Sequence, residues 1–100
     1  MMYCNFSIDY TENLVKSIDN VLDVIIAENE NNIIVAIKTK PLFLKSEINA
    51  TIKNIENILK PTTTKNIFVT RSMEVFCDIK NCNEENKSID FDKIINKINR

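Results

Sequence analysis

The sequence predicts an α+β domain in which two helices cover one three-stranded sheet. Two β-rich runs are separated by an Asn-rich segment, and an apolar stripe at helical spacing and a third β-rich run follow them. Three strands need a second layer to be stable in water, and the helical stripe supplies one. The predicted fold is therefore a two-layer sandwich in the order α-β-β-α-β, followed by one or two short C-terminal helices. The chain has 100 residues, which suits a single domain over residues 1–100, with residues 1–8 as a candidate flexible N-terminal segment.

The first helix is expected from about Tyr10 to Asp19. Asp9 can cap it, and Glu12 lies three residues further on, which is the spacing of a capping box. The apolar face follows a helical period. The residues assigned to that face are Tyr10, Leu14 and Ile18, flanked by Val15 and Val21.

A β-hairpin is predicted next, because two runs alternate with the period of a strand. One side of the first strand holds Leu22, Val24 and Ile26, and one side of the second holds Ile33, Val35 and Ile37. Apolar residues also occupy the opposite sides, so we expect cover on both faces. The turn falls within residues 28–32, where Asn is expected to adopt the left-handed conformation, since the chain contains no glycine.

The second helix is predicted from an apolar stripe between two prolines. Pro41 ends the second strand, Ser46 is a candidate N-cap, and Pro61 stops the helix because the residue before a proline disfavours the helical conformation. The stripe steps by three or four residues. It consists of Leu44, Ile48, Ile52, Ile55 and Leu59.

The remaining elements are a third strand at residues 66–70 and two small helices. Thr70 or Ser72 can cap the first helix, residues 80–87 are expected to form a loop, and Asp90 can cap the last helix. Met73, Phe76 and Ile79 fall in the first of these helices, and Phe91, Ile94, Ile95 and Ile98 form the apolar face of the last. These helices are expected to cover the apolar surface of Ile25, Ile34 and Ala36.

The composition argues against most catalytic sites. Without glycine there is no P-loop, dinucleotide-binding fingerprint or nucleophile elbow, and without histidine no Ser-His-Asp or Cys-His pair can form within this chain. Helix capping accounts for Asp9, Glu12 and Asp90, and Asp90 with Asp92 lacks the further ligands of a calcium loop. Lys93 and Lys97 are interpreted as charges on a solvated helix face. We therefore expect no enzyme activity and assign no catalytic, cofactor-binding or metal-binding residues.

Three cysteines, Cys4, Cys77 and Cys82, do not complete a disulfide framework. Cys77 and Cys82 could form a bridge if a helix ended between them, and otherwise they are free thiols. The N-terminus shows no signal peptide, so the chain as written is expected to be cytoplasmic or a fragment whose leader was removed. The apolar runs are too short to span a bilayer.

Two kinds of binding surface follow from the pattern. Phe68, with Arg71 nearby, could stack a nucleic acid base, as could Tyr3, Phe6 and Tyr10. However, 13 basic and 14 acidic residues give a net charge of −1, so no nucleic acid partner is expected and core packing is preferred for Phe68. A three-stranded sheet also has two edges, and an open edge favours β-augmentation or self-association, whereas Lys38 and Lys40 could protect the end of the second strand.

The order and hydrophobic pattern resemble a known family. Ile67-Phe68-Val69-Thr70, a short helix, a polar spacer and Phe91-Asp92-Lys93-Ile94-Ile95 look like the YhcN/YlaJ-type sporulation lipoproteins. Val24-Ile25-Ile26, the Asn-rich turn and Ile33-Ile34-Val35-Ala36-Ile37 resemble the hairpin of that family, so the likeness covers about residues 9–98. Two features depart from it: no lipoprotein leader precedes Cys4, and Asn31 or Asn32 would have to replace the glycine of the turn.

The resemblance implies a BON-like domain without enzyme chemistry, located in the spore or forespore envelope. The leading hypothesis is a sporulation-associated interaction or structural domain that binds protein, itself or the spore envelope. One alternative is a ring-building, homo-oligomeric module of a secretion or sporulation channel complex, which would associate through a sheet edge or a helix face. A third is a small nucleic-acid-binding domain.

Overall fold

The computed structural model describes residues 8–18, 20–41 and 44–98. Within these ranges, four α-helices and three strands follow in the order α-β-β-α-β-α-α, with a 3₁₀ turn at Lys60–Thr62 after the second helix, and this order confirms the predicted α+β fold. They are α1 (Ile8–Lys16), β1 (Val21–Glu28), β2 (Asn32–Thr39), α2 (Lys45–Leu59), β3 (Asn66–Thr70), α3 (Met73–Glu84) and α4 (Phe91–Ile98). The predictions for Tyr3, Cys4 and Phe6 lie outside the described residues.

The sheet is mixed, and β2 is its central strand. Its order is β1-β2-β3, with β1 antiparallel and β3 parallel to β2. Since two parallel neighbours cannot be joined by a tight turn, α2 makes the crossover between β2 and β3. This order leaves β1 and β3 as the two edges. Lys38 lies within β2 and Lys40 follows it, so the residues predicted to protect the end of the second strand belong to the central strand and not to an edge.

One core lies between the sheet and the first two helices. Alternate residues of β2 point into it, and α1 and α2 cover them. Its buried members are Val15, Val21, Val24, Ile26, Ile33, Val35, Ile37, Ile55 and Leu59. These helices and the sheet are the two layers of the predicted sandwich, and α3 and α4 add a third layer on the opposite face.

A second core lies on the opposite face, under α3 and α4. Its buried members are Ala27, Ile34, Ala36, Val75, Phe76, Ile79 and Ile94, and Ile25 and Phe68 pack against them. The expectation that the last helices would cover Ile25, Ile34 and Ala36 is therefore confirmed. With both faces covered, β2 is completely buried over residues 33–37, which explains why its sequence is apolar on both sides.

The start of β1 departs from the predicted alternation. The pairing with β2 shifts register between Val21 and Asp23, because Leu22 is an extra residue in the strand. Val21 consequently joins the core beside Val24. Leu22, which was predicted to share a side with Val24 and Ile26, is 58% exposed.

The first helix starts and ends earlier than predicted. Asp9 lies in its first turn rather than at the cap. Thr11 and Val15 are its buried residues, whereas Tyr10, which was assigned to the apolar face, is 63% exposed. The chain leaves the helix through Asn20, which adopts φ 77°.

The left-handed positions do not fall in the hairpin turn. The described residues other than glycine with positive φ are Asn20 and Asn86, so Asn31 and Asn32 do not replace a glycine. Instead, the Asn29 side chain organises the turn, because its Oδ1 accepts from the backbone N–H of Asn31 (3.0 Å) and of Asn32 (2.7 Å).

The helix boundaries after β2 are predicted unevenly. The side chain of Ser72 caps α3, and that of Asp90 accepts from the first turn of α4. The α-helix α2 ends at Leu59, but Lys60 keeps helical angles (φ −50°, ψ −44°) and a 3₁₀ turn at Lys60–Thr62 includes Pro61, so the expected loss of helical conformation before the proline is wrong. Ser46 lies inside α2, whose cap position is Leu44. The predicted loop at residues 80–87 is wrong in its first half, since α3 continues to Glu84.

Candidate functional site

The outer edge of β3 is the most distinctive surface of the fold. The Asn66 N–H donates to the Asn31 carbonyl at 2.9 Å, so Asn66 faces β2. Because successive peptide groups of a strand point in opposite directions, Ile67 and Val69 direct their N–H and C=O groups away from the sheet. In the part of the chain that the structure describes, these outward groups have no hydrogen-bond partner. They form a ready template for another strand.

The side chains of β3 pack against both cores, while the outward backbone groups of its edge remain uncovered. Ile67 and Val69 pack against the first core, and Phe68 packs against the second, as its sequence context predicted. All three are half-buried, and none carries a charge. The edge is therefore presented by a strand anchored on both of its faces.

Polar contacts fix β3 at each end. The Lys65 Nζ lies 2.6 Å from Glu28 Oε2 at the hairpin end of the sheet, where each side chain is less than a third exposed. At the other end, the Arg71 Nε–H donates to Thr39 Oγ1 at 3.1 Å. These bonds connect β3 to β1 and β2, so the outer edge is held in a defined register.

The edge of β1 is guarded by two carboxylates. The Val24 N–H donates to Asp23 Oδ1 at 2.9 Å. The Glu12 carboxylate on α1 lies near the backbone N–H of Ile26. Burial raises the pKa of Glu12, and the nearby N–H opposes the rise. The extra residue Leu22 also disrupts the regular edge. One edge is thus protected, and the other is open.

The candidate acidic residues of the sequence do not converge. Asp9 and Glu12 lie on α1 above the first core, whereas Asp90 and Asp92 lie at the start of α4 on the opposite face. The sheet separates the two pairs. Across the described ranges, no three His, Cys, Asp or Glu side chains are close enough together to hold a metal ion.

A cavity of about 260 Å³ opens between α3 and α4. Its lining mixes both signs of charge and includes Asp78, Glu85 and Lys87, together with the half-buried thiol of Cys82. Cys77 and Cys82 are both free and both lie within α3. The bridge considered between them required a helix end that the structure does not have.

Lys97 has a structural role that its sequence position did not suggest. It was predicted to lie on a solvated face, but its side chain is only 13% exposed. Its Nζ lies 2.7 Å from Asp78 and 2.9 Å from Glu74, so it joins α4 to α3. The hydrogen bond to Asp78 and that to Glu74 raise the pKa of Lys97.

Comparisons with known proteins do not assign this chain to a family. No family model, curated protein or solved structure matches the chain. None of the described helices is long and apolar enough to cross a bilayer.

Proposed function

We propose that this protein is a non-catalytic interaction module that associates with a second copy of itself along the outer edge of β3. The observation that carries the proposal is the difference between the two edges. Glu12 and Asp23 occupy outward hydrogen-bonding groups of β1, whereas nothing described occupies those of β3. Edge strands are a hazard that proteins normally block, so the selective exposure of β3 favours its use in binding.

The sequence of β3 suits antiparallel pairing with itself. A two-fold axis through Phe68 would place Ile67 opposite Val69 of the second copy. Since these are the outward-facing residues, each such pair would exchange both of its N–H···O bonds. The two Phe68 residues would then form the closely spaced pair on the axis, where aromatic side chains stabilise a sheet.

The charges around the strand permit this arrangement. No residue of Asn66–Thr70 is ionised, so the paired strands bring no like charges together. Lys65 would lie opposite Arg71 of the second copy, but the bond to Glu28 at 2.6 Å offsets the charge of Lys65. A two-fold interface of this kind is self-complementary and closes at a dimer.

Replacing Val69 by proline tests the proposal directly. Its outward N–H is not used inside the sheet, so proline is compatible with this edge position and removes one intermolecular donor. We expect wild-type protein to dimerise with increasing concentration in sedimentation velocity and Val69→Pro to remain a monomer with an unchanged circular dichroism spectrum. Val69→Ala, which shortens the side chain but keeps the N–H, should still dimerise.

Ile67→Pro provides a second variant of the same kind, should Val69→Pro fail to fold. A wild-type protein that is monomeric at every concentration would refute self-association. Equal dissociation of Val69→Pro and Val69→Ala would assign the contact to side chains rather than to the strand edge. A closed assembly larger than a dimer would favour the ring-building alternative.

The biological setting that we propose is sporulation, and only the family resemblance of β3 and the hairpin supports it. A homotypic structural module is compatible with a role in the spore envelope. We expect transcription of the gene to be confined to sporulation, as measured by RNA sequencing through growth and spore formation. Equal expression in vegetative cells would contradict this setting without affecting the dimer.

A further inference from the structure

Three of the large apolar side chains that the fold leaves exposed lie at one end of the sheet. Leu22 is 58% exposed, Leu44 58% and Met73 50%. Leu22 follows the residue that pairs with Thr39 at the end of β2, and α2 and α3 begin just beyond the ends of β2 and β3. The topology therefore brings these three side chains to the end opposite the hairpin turn.

Hydrogen bonds hold the segments of this end together. The Lys40 N–H donates to the Asn20 carbonyl at 2.9 Å, and Arg71 bonds Thr39 at 3.1 Å. Four cations occupy the same end. We call this surface the basal tip; it consists of Leu22, Leu44, Met73, Lys38, Lys40, Lys45 and Arg71.

The basal tip has an excess of positive charge. None of its four cations makes an ion pair with a carboxylate of the described residues, and Lys38 instead lies 4.8 Å from the centre of the Phe76 ring. Two nearby carboxylates are already paired: Asp23 lies 3.6 Å from Lys16, and Glu74 lies 2.9 Å from Lys97. A third, Glu47, lies exposed in the first turn of α2 and reduces the excess of the four cations without cancelling it. The overall charge of −1 conceals this local asymmetry.

We propose that the basal tip binds the surface of a bilayer that contains anionic lipids. Leu22, Leu44 and Met73 would enter the boundary between headgroups and acyl chains, and the cations would contact the phosphates. Apolar insertion combined with electrostatic attraction is how peripheral proteins bind such surfaces. The positive charge of the tip complements anionic headgroups, and its exposed apolar side chains suit the acyl-chain boundary. Both features favour an anionic bilayer as the partner.

Two other partners fit less well. Single-stranded nucleic acid would need aromatic side chains beside the cations, and none of the three exposed apolar side chains that the structure describes at the tip is aromatic. A stable protein interface uses about 20 to 30 residues on each side, and the tip offers far fewer. The basal tip shares no residue with β3 itself (Asn66–Thr70), and only Arg71 adjoins both surfaces. Lys40, Lys45 and Leu44, which the test below changes, lie outside the β3 contact, so this proposal does not depend on dimerisation.

Vesicle flotation with the full chain tests the proposal. We expect the protein to float with vesicles of phosphatidylcholine and phosphatidylserine, to remain behind with phosphatidylcholine alone, and to be released as salt is raised. The double variant Lys40→Gln/Lys45→Gln should bind about 25-fold more weakly, because each cation near an anionic surface contributes about 1 kcal/mol. Leu44→Ser should weaken binding while the salt dependence remains.

The matched control is Lys60→Gln/Lys80→Gln, which makes the same change of charge at exposed lysines outside the tip. It should bind nearly as well as wild type. Absence of flotation, equal binding to both kinds of vesicle, or equal weakening by the control pair would overturn the proposal. Tighter retention by DNA or RNA than by vesicles, lost in Lys40→Gln/Lys45→Gln, would assign the tip to nucleic acid instead.

Discussion

Replacing Ile79 by alanine is expected to destabilise the protein by about 3 to 4 kcal/mol, as much as replacing Ile55. Both side chains are fully buried, Ile55 on α2 in the first core and Ile79 on α3 in the second. Each substitution leaves a cavity that the packed sheet cannot fill. Since small domains unfold at a cost of only about 5 to 15 kcal/mol, either change should produce a large shift in urea denaturation.

The comparison of the two sites tests whether α3 and α4 form a core equal to that beneath α1 and α2. Met73→Ala, on the same helix as Ile79 but at a side chain that is 50% exposed, is the control and should cost less than about 1 kcal/mol. An Ile79→Ala variant as stable as this control would mean that the second face contributes little to folding.

The parts of the fold that the sequence predicts best are those with strong local signals. The third strand was predicted at Asn66–Thr70 and begins and ends there, because polar residues precede it and Ser72 starts a capped helix. The prediction that β2 is covered on both faces was also correct: Ile33, Val35 and Ile37 lie in the first core, and Ile34 and Ala36 lie in the second.

The errors arise where long-range contacts override a local pattern. The polar sequence of residues 80–84 lacks an apolar period, yet it continues α3, and Asn86 then takes φ 56° beyond the helix end. Leu22 looks like part of an alternating strand, and only the register against β2 turns it outward. The ion pairs of Lys97 could not be predicted from the sequence either, because its partners Glu74 and Asp78 lie on another helix.

The sequence predicted that the sheet has two edges that could bind another strand, but not that β3 is one of them. Strand order decides which strands are edges, and that order depends on how α2 returns the chain to the sheet. The role of Glu12 was hidden for a related reason. Its spacing from Asp9 indicates a capping box, whereas its carboxylate lies near the backbone N–H of Ile26 on a different element.

Removing both carboxylates that protect the β1 edge is expected to convert the closed dimer into an assembly that can grow without limit. Glu12→Ala together with Asp23→Ala takes away the acceptors that occupy the N–H groups of Ile26 and Val24. The molecule would then have two open edges, and alternating β3–β3 and β1–β1 contacts never close. We expect species much larger than a dimer in sedimentation velocity and light scattering, growing with protein concentration.

The control is Glu30→Ala with Asp92→Ala, which removes two carboxylates from exposed positions and changes the net charge equally. It should leave the wild-type distribution unchanged, since neither residue lies at an edge. Adding Val69→Pro to the Glu12 and Asp23 variant leaves only the β1 edge open, so its assemblies should stop at a dimer. If Glu12→Ala/Asp23→Ala kept the size distribution of the wild-type protein, these carboxylates would not be what protects the β1 edge. The difference between the two edges could then not explain why the protein associates through β3.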